Sequence, residues 1–191
     1  PLEDRVINVS RAKYSVTCPC SFMFVASMIP CPCGYYNQPT KACCCTPGQI
    51  VRYLNKISGP LLDRIDLQIE LSPVPFSDLS KMEPGEPSEK IRERVIRARK
   101  IQEERFRDYA LIHSNAQMTE KMLGQYCVLD SQTTEVLREA MIRLNLSARA
   151  YSRILKVART IADLEGKENI EFAHVAEAVG YRTLDRSSWG E

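Results

Sequence analysis

The chain has 191 residues, of which 44% are hydrophobic and 26% are charged, and its formal net charge is +2. This composition is ordinary for a soluble globular protein, and the near balance of charge neither supports nor excludes a polyanionic partner. No apolar run is long enough to cross a bilayer and no signal peptide is visible, so we expect a cytoplasmic protein with no membrane partner.

Residues 5 to 20 contain two β-prone runs around a polar centre, a pattern that predicts a β-hairpin. Arg11 and Lys13 fall at or near the predicted tip. Cations at such a tip can contact phosphates, because they displace the counterions that condense on a nucleic acid. Without further context, a solvated turn is the preferred interpretation.

An unbroken apolar run, SFMFVASMI, follows over residues 21 to 29 and is bounded by prolines. A run of this length predicts a strand that is buried on both faces of a parallel sheet. Ligands of α/β folds collect at the carboxyl ends of such strands, so the residues after Ile29 are expected to lie where chemistry occurs.

Seven of the eight cysteines lie between Cys18 and Cys45, a local clustering that favours metal binding over a disulfide framework. Neighbouring cysteines rarely form disulfides, because the bridge needs Cα atoms about 4.4 to 6.8 Å apart. Two short pairs can instead place four thiolates around one Zn²⁺ or another thiophilic metal. The predicted ligands are Cys31, Cys33, Cys43 and Cys45, and the alternative is a reduced loop without metal.

The sequence Thr46-Pro-Gly-Gln49 predicts a helix start, with threonine as N-cap and glutamine three residues later. This helix is expected to end near Gly59. Apolar and polar residues then alternate over residues 65 to 71, which predicts a strand with one buried face. Arg64 stands at its beginning, where an ion pair with Asp63 or Asp66 is the ordinary expectation.

Residues 72 to 88 contain four prolines and mark a linker. The predicted fold class is therefore α/β plus all-α, with an α/β part over 1–75, a linker over 76–87 and a helical domain over 88–191. Helices are predicted from Ser88 to about 108, from Thr119, from Ser131 to about 146, from Ser147 to Gly166 and over about 171–179, with a loosely held tail after them. The helix after Ser147 carries Arg149, Arg153 and Lys156 on one face.

Two long motifs, FMFVASMIPCPCGYYNQPTKACCCTPGQIVRYLNKISGPLLDRIDL and LSARAYSRILKVARTIADLEG, resemble the magnesium-chelatase-like AAA+ ATPases of bacteria, the YifB and ComM group. The resemblance spans nearly the whole chain. It implies the last strands and the pre-sensor hairpin of an AAA+ P-loop-type core, followed by a helical lid. It also implies a ring-forming homo-oligomer, hexameric in the intact protein, that uses ATP and Mg²⁺ to move along DNA or to migrate branches.

The resemblance assigns roles to four residues. Arg64, in LLDRID, matches the arginine finger that reaches the γ-phosphate bound by a neighbouring subunit, and Arg149, in LSARAY, matches the sensor-two arginine of the lid. Arg11 and Lys13 match the hairpin that contacts DNA in the central pore. Alternative functions are a subunit of a metal-chelatase-type remodelling ATPase and a non-catalytic, zinc-stabilised nucleic-acid-binding module.

Two departures from the family pattern affect the expected chemistry. The family has an asparagine that orients the attacking water where this chain has Ile29, whose side chain neither donates nor accepts a hydrogen bond. We therefore expect impaired hydrolysis. The chain also lacks a Gly-Lys-Ser/Thr phosphate loop and a hydrophobic run that ends in Asp-Glu. Both are expected upstream of Pro1 in a longer protein, so this piece alone should not hydrolyse ATP.

Overall fold

The computed structural model describes residues 2–38, 41–71, 73–74, 78 and 84–182 of the chain. Two compact units are present, of which the first ends at Arg64 and the second begins at Ile65. Most of the regular structure in these residues is helical, and the described strands form a single two-stranded sheet.

The first unit contains a hairpin and two short helices: β1 (Val6–Arg11), β2 (Tyr14–Pro19), α1 (Pro47–Leu54) and α2 (Gly59–Leu62). The second unit contains α3 (Ser88–Arg105), a 3-10 helix (Asn115–Gln117), α4 (Glu120–Tyr126), α5 (Ser131–Arg143), α6 (Ala148–Glu165) and α7 (Phe172–Gly180). None of the helices in the described part of the chain is both long and apolar enough to span a membrane.

The predicted hairpin is confirmed. Strands β1 and β2 pair in antiparallel register, with Arg11 opposite Tyr14 and Ala12-Lys13 forming the two-residue turn. Side-chain pairs reinforce the register, because Thr17 Oγ1 donates to Asn8 Oδ1 over 2.7 Å. Both cations are exposed at the tip, as the sequence predicts.

The helix start at Thr46 is also confirmed. Thr46 Oγ1 accepts from the Gln49 N–H, and Gln49 Oε1 accepts from the Thr46 N–H over 2.9 Å, which forms a complete capping box. The helix ends at Leu54, earlier than predicted, because a turn separates it from α2. Ile50 and Leu54 form its buried side.

The two predicted sheet strands over residues 21–29 and 65–71 are wrong for this structure. The first run has no regular structure, and Phe22, Met23 and Val25 are 56%, 88% and 79% exposed. Residues 65–71 instead run along the end of α7, where the Gln68 N–H donates to the Tyr181 carbonyl over 2.9 Å. A parallel strand needs neighbouring strands for its hydrogen bonds, and β1 and β2 pair only with each other within the described residues.

Helix α6 is central to the second unit and packs against α3, α4, α7 and the 3-10 helix. Both predicted ends are confirmed: the Ser147 hydroxyl accepts from the Ala150 N–H, and Gly166 takes a left-handed conformation with φ +72°. The apolar face of α6 packs into the core, where Ala150, Ile154 and Ile161 are buried. Along α3, Ala98 is buried, whereas the apolar side chains of Ile91 and Val95 are exposed.

A buried polar network joins α3, the 3-10 helix and α6. Arg105 donates to both carboxylate oxygens of Asp163, over 2.7 and 2.5 Å, and Asn115 Nδ2 donates to the same carboxylate over 2.7 Å. Arg159 Nε adds a fourth bond over 3.1 Å, and the two terminal guanidinium nitrogens of Arg159 donate to the carbonyls of Glu168 and Lys167. Because the carboxylate compensates two guanidinium groups, it fixes three elements at once.

We expect the Asp163→Ala substitution to destabilise the intact protein by about 3 to 5 kcal/mol, since it leaves Arg105 and Arg159 without their anion in a dry environment. Denaturant unfolding measures the loss. Glu135→Ala is the matched control, because its bridge to Arg138 is more than half exposed on both sides and contributes at most about 1 kcal/mol. Equal losses in the two variants would contradict a special role for the network.

Two predictions fall largely outside the described residues. The proline-rich linker over 76–87 is described only in part, so the domain boundary that it marks stays a prediction. The tail after Arg182 lies outside the described residues altogether.

Candidate metal centre and cationic sites

Four cysteine thiols converge in the first unit. The Cys31 sulfur lies 3.4 Å from that of Cys33 and 3.7 Å from that of Cys43, and the last two are 3.4 Å apart. Cys45 completes the group, and all four sulfurs lie within 4.8 Å of one another. Thiolates bound about 2.3 Å from a tetrahedral Zn²⁺ are about 3.8 Å apart, so the spacing fits this geometry. The predicted cysteine cluster is confirmed.

Local backbone geometry brings the two pairs together. Cys31-Pro-Cys33-Gly34 forms a turn in which the Gly34 N–H donates to the Cys31 carbonyl over 3.0 Å. Gly34 has a φ of +81°, a conformation that a residue with a Cβ adopts only with strain. The second pair leads directly into Thr46, the N-cap of α1. The cluster therefore ties the turn at residues 31–34 to the start of a helix.

The four thiols do not ionise equally. The backbone N–H of Tyr35 lowers the pKa of Cys33 to about 5, whereas desolvation raises the pKa of Cys45 to about 12. One thiolate therefore forms readily at neutral pH. Ionisation of further thiols in the cluster requires a cation that compensates their charge, because neighbouring negative charges oppose each other's ionisation.

The remaining cysteines lie outside the cluster, as predicted. Cys44 is exposed between two ligands, and Cys18 is part of β2. Cys127 is a core residue of the second unit, where burial raises its pKa to about 11. Its thiol faces the Leu155 carbonyl over 3.7 Å and remains protonated at neutral pH.

Arg64 is half-buried at the end of the first unit. Its Nε donates to Glu3 over 3.1 Å, and another guanidinium nitrogen donates to the Pro60 carbonyl over 2.9 Å. The side chains of Arg64 and Glu3 are 32% and 35% exposed. Sequence reasoning expected Asp63 or Asp66 as the partner. It missed Glu3 because 61 positions separate the two residues, and the sequence carries no local signal for the pair.

Arg149 is exposed in the first turn of α6 and has no ion-pair partner among the described residues. The two cations predicted on the same face are engaged within the second unit. Arg153 pairs with Asp66, and Lys156 donates to the Ala116 carbonyl over 3.4 Å. The predicted three-cation surface is therefore not a free polyanion site.

The structure places the predicted site residues in two groups. The first unit holds the hairpin tip, the thiol cluster and Arg64, and the second unit holds Arg149. Comparison with known proteins relates both units to one family. The family model described as "Magnesium chelatase, subunit ChlI" matches residues 1–79, and the model described as "Magnesium chelatase, subunit ChlI C-terminal" matches residues 85–182.

Individual relatives match along nearly the whole chain. The chain is 43% identical to the competence protein ComM of Haemophilus influenzae and 42% identical to the uncharacterized protein YifB of Escherichia coli, in both cases over 97% of its own length. An uncharacterized protein of Mycobacterium tuberculosis is 34% identical over 95% of the chain. The chain spans only 35% to 36% of the length of these relatives.

Proposed function

This chain belongs to the magnesium chelatase family, and from that premise we propose that it is one part of a larger ATP-driven motor to which it contributes two nucleotide-sensing arginines and a DNA-contacting hairpin. The observation that carries the proposal is the accessibility and hydrogen bonding of the Arg64 guanidinium. Its guanidinium is held at an accessible position by a carboxylate and a backbone carbonyl, where it can exchange one anion for another.

The energetics of the Arg64 contact favour such an exchange. A partly solvated ion pair like that with Glu3 contributes about 0 to 1 kcal/mol, so little is lost when the arginine turns to another anion. A phosphate accepts two parallel N–H bonds from a guanidinium and carries more charge than a carboxylate. Arg64 therefore suits the role of an arginine finger that acts on ATP bound by a neighbouring subunit.

Arg149 suits a second contact with the same nucleotide. It lies in the first turn of an 18-residue helix, where the helix dipole adds positive potential to its own charge. Its side chain is exposed, so it can reach an anion without a loss of internal contacts. Because the chain has no phosphate loop of its own, ATP and Mg²⁺ would be held by residues outside it, and the two arginines would act on the phosphates there.

The AAA+ core itself is part of the proposal. The apolar run over residues 21–29 is exposed here, although its composition suits a strand covered on both faces. In the longer protein, we expect it and residues 65–71 to pair with strands from the two thirds of the relatives that this chain does not cover. The assembly of such subunits into a hexameric ring would then place Arg64 against a neighbour.

DNA is the polymer on which the motor would act. The hairpin supports this choice, because Arg11 and Lys13 are exposed at the tip of a ribbon whose register is well defined. A metal-chelatase-type remodelling subunit, the second candidate within the same family, would act on a protein partner and need no cationic hairpin tip.

We expect DNA to stimulate ATP hydrolysis by the intact protein, and the Arg11→Ala/Lys13→Ala variant to lose most of this stimulation. Steady-state ATPase rates with and without DNA measure both effects, and the rate without DNA reports on the nucleotide site alone. Arg92→Ala/Arg97→Ala removes the same charge from exposed positions on α3 and should leave stimulation unchanged. An ATPase rate that does not change when DNA is added would favour the remodelling subunit instead.

The thiol cluster supports a further proposal, that a Zn²⁺ ion holds the first unit together. Soft thiolate ligands in a tetrahedral set select zinc over the harder divalent ions. Four protein ligands would close the coordination shell, which is typical of a structural site. If the ATPase proposal failed, the same centre would fit the remaining alternative, a zinc-stabilised nucleic-acid-binding module.

A further inference from the structure

The first unit contains a long stretch without any acidic residue. Residues 5 to 62 include no aspartate or glutamate but six lysines and arginines, so their formal charge is +6 although the whole chain has only +2. The six cations are Arg5, Arg11, Lys13, Lys41, Arg52 and Lys56. The overall charge balance hides this asymmetry, because acids elsewhere in the chain offset it.

Part of this charge lies on a surface beside the thiol cluster, formed by Gln49, Arg52, Tyr53 and Lys56. Gln49 and Arg52 lie three residues apart on the face of α1 opposite the buried Ile50 and Leu54, and Lys56 lies in the turn that follows the helix. Arg52 and Lys56 are exposed and have no ion-pair partner among the described residues. They line an open cleft of about 470 Å³ together with Cys33, Cys45, Gln49 and Tyr53.

Aromatic rings hold two of the cations in place. Lys41 Nζ lies 4.0 Å from the centroid of the Tyr35 ring, and Lys56 Nζ lies 5.4 Å from that of Tyr53. Cation–π contacts restrict these side chains without neutralising them. At the cleft, Arg52 and Lys56 lie beside the Tyr53 ring, and cations next to an aromatic side chain also occur in proteins that bind a nucleic-acid strand.

A metal centre would not offset all of the nearby charge. A Zn²⁺ ion with four thiolates would carry a net charge of −2, whereas residues 41 to 56 supply three cations and no acid. The centre would help to position the surface, because Cys45 directly precedes the N-cap of α1, the helix that contains Gln49, Arg52 and Tyr53.

We propose that the surface formed by Gln49, Arg52, Tyr53 and Lys56 is a second nucleic-acid contact, separate from the hairpin tip, that binds the phosphodiester backbone. The proposal rests on the proposed function only in the choice of DNA as the polyanion. The surface is additional to Arg64, Arg149 and the hairpin tip, and the roles proposed for those residues do not depend on it. Two exposed cations without an ion-pair partner among the described residues, the adjacent Tyr53 ring and an open cleft support a polymer of phosphates over an acidic protein surface.

The test compares Arg52→Gln/Lys56→Gln with Arg99→Gln/Lys100→Gln in the intact protein. The control pair removes the same charge from exposed positions on α3. Fluorescence anisotropy with a labelled oligothymidine and with a duplex of equal length, each over a series of salt concentrations and without nucleotide, measures affinity. Each lost phosphate contact lowers the slope of log K against log salt by about 0.7 for a single strand and about 0.9 for a duplex.

We expect Arg52→Gln/Lys56→Gln to bind DNA several-fold more weakly and to lower the slope by about 1.4 on the single strand, while the control pair retains wild-type values. Unchanged affinity, an equal loss in the control, or loss of bound metal in the Arg52/Lys56 variant would overturn the proposal. Loss of bound metal would show that Arg52 and Lys56 compensate the negative charge of the thiolates. The ATPase rate without DNA tests the motor separately, so a normal rate with unaltered DNA affinity would refute the surface alone.

Discussion

Replacement of Arg64 by alanine is expected to reduce ATP turnover by the intact protein by about 10³-fold or more, while nucleotide affinity changes little. A guanidinium that reaches the γ-phosphate neutralises charge that develops on the transferring phosphoryl oxygens, and it does so mainly in the transition state. The loss should therefore appear in kcat. Steady-state hydrolysis and binding of a fluorescent nucleotide, measured on the same preparation, separate the two quantities.

Three further variants sharpen this test. Arg64→Lys keeps the charge but loses the planar fork, so we expect only partial recovery of turnover. Arg138→Ala removes an exposed arginine that pairs with Glu135 on α5 and should have no effect. Ile29→Asn supplies the missing polar side chain, and the Arg64→Ala loss should persist in that background. Unchanged turnover in Arg64→Ala would remove this residue from the mechanism.

The elements that could be predicted from sequence are those that local chemistry determines. The hairpin, the Thr46 capping box and the ends of α6 each depend on residues within a few positions of one another. The strand over 21–29 was wrong for the opposite reason. Its hydrogen bonds must come from other strands, and the apolar pattern of one segment does not reveal whether partners are available.

The same distinction separates the candidate sites. The cysteine cluster was predictable because its ligands lie close together in sequence and a glycine supplies the turn between them. The partners of Arg64 and Arg153 were not, since Glu3 and Asp66 are distant in sequence. The Asp163 network was missed likewise. The acid-free stretch was visible in the sequence, but a net charge averaged over the whole chain conceals it.

The first unit has a small hydrophobic core, which bears on the role of the proposed Zn²⁺ ion. Among its described residues, the buried apolar side chains are those of Cys31, Ile50, Leu54 and Leu62. The second unit instead buries a continuous cluster around α6. So small a core supplies little stability, and structural metals are one way in which small units compensate.

If the thiol cluster holds Zn²⁺ as proposed, its removal is expected to unfold the first unit while the second stays folded. Binding of Zn²⁺ to zinc-finger peptides provides about 10 to 16 kcal/mol of apparent free energy, more than a small core supplies. Elemental analysis of the intact protein should give one zinc per chain, and a strong chelator should lower the melting temperature of the first unit. Hydrogen exchange distinguishes the units, because amides around α1 should lose protection and those of α6 should keep it.

Cys31→Ser is the decisive variant, because Cys31 is fully buried and contacts two of the other three sulfurs. A serine there replaces a soft thiolate ligand with a hydroxyl that binds zinc poorly, so metal content and the stability of the first unit should fall together. Cys44→Ser is the matched control, since this cysteine is exposed and lies outside the cluster. A metal-free protein that is as stable as the untreated one would show that the thiols form a reduced loop. The surface beside the thiol cluster would then need another source of rigidity.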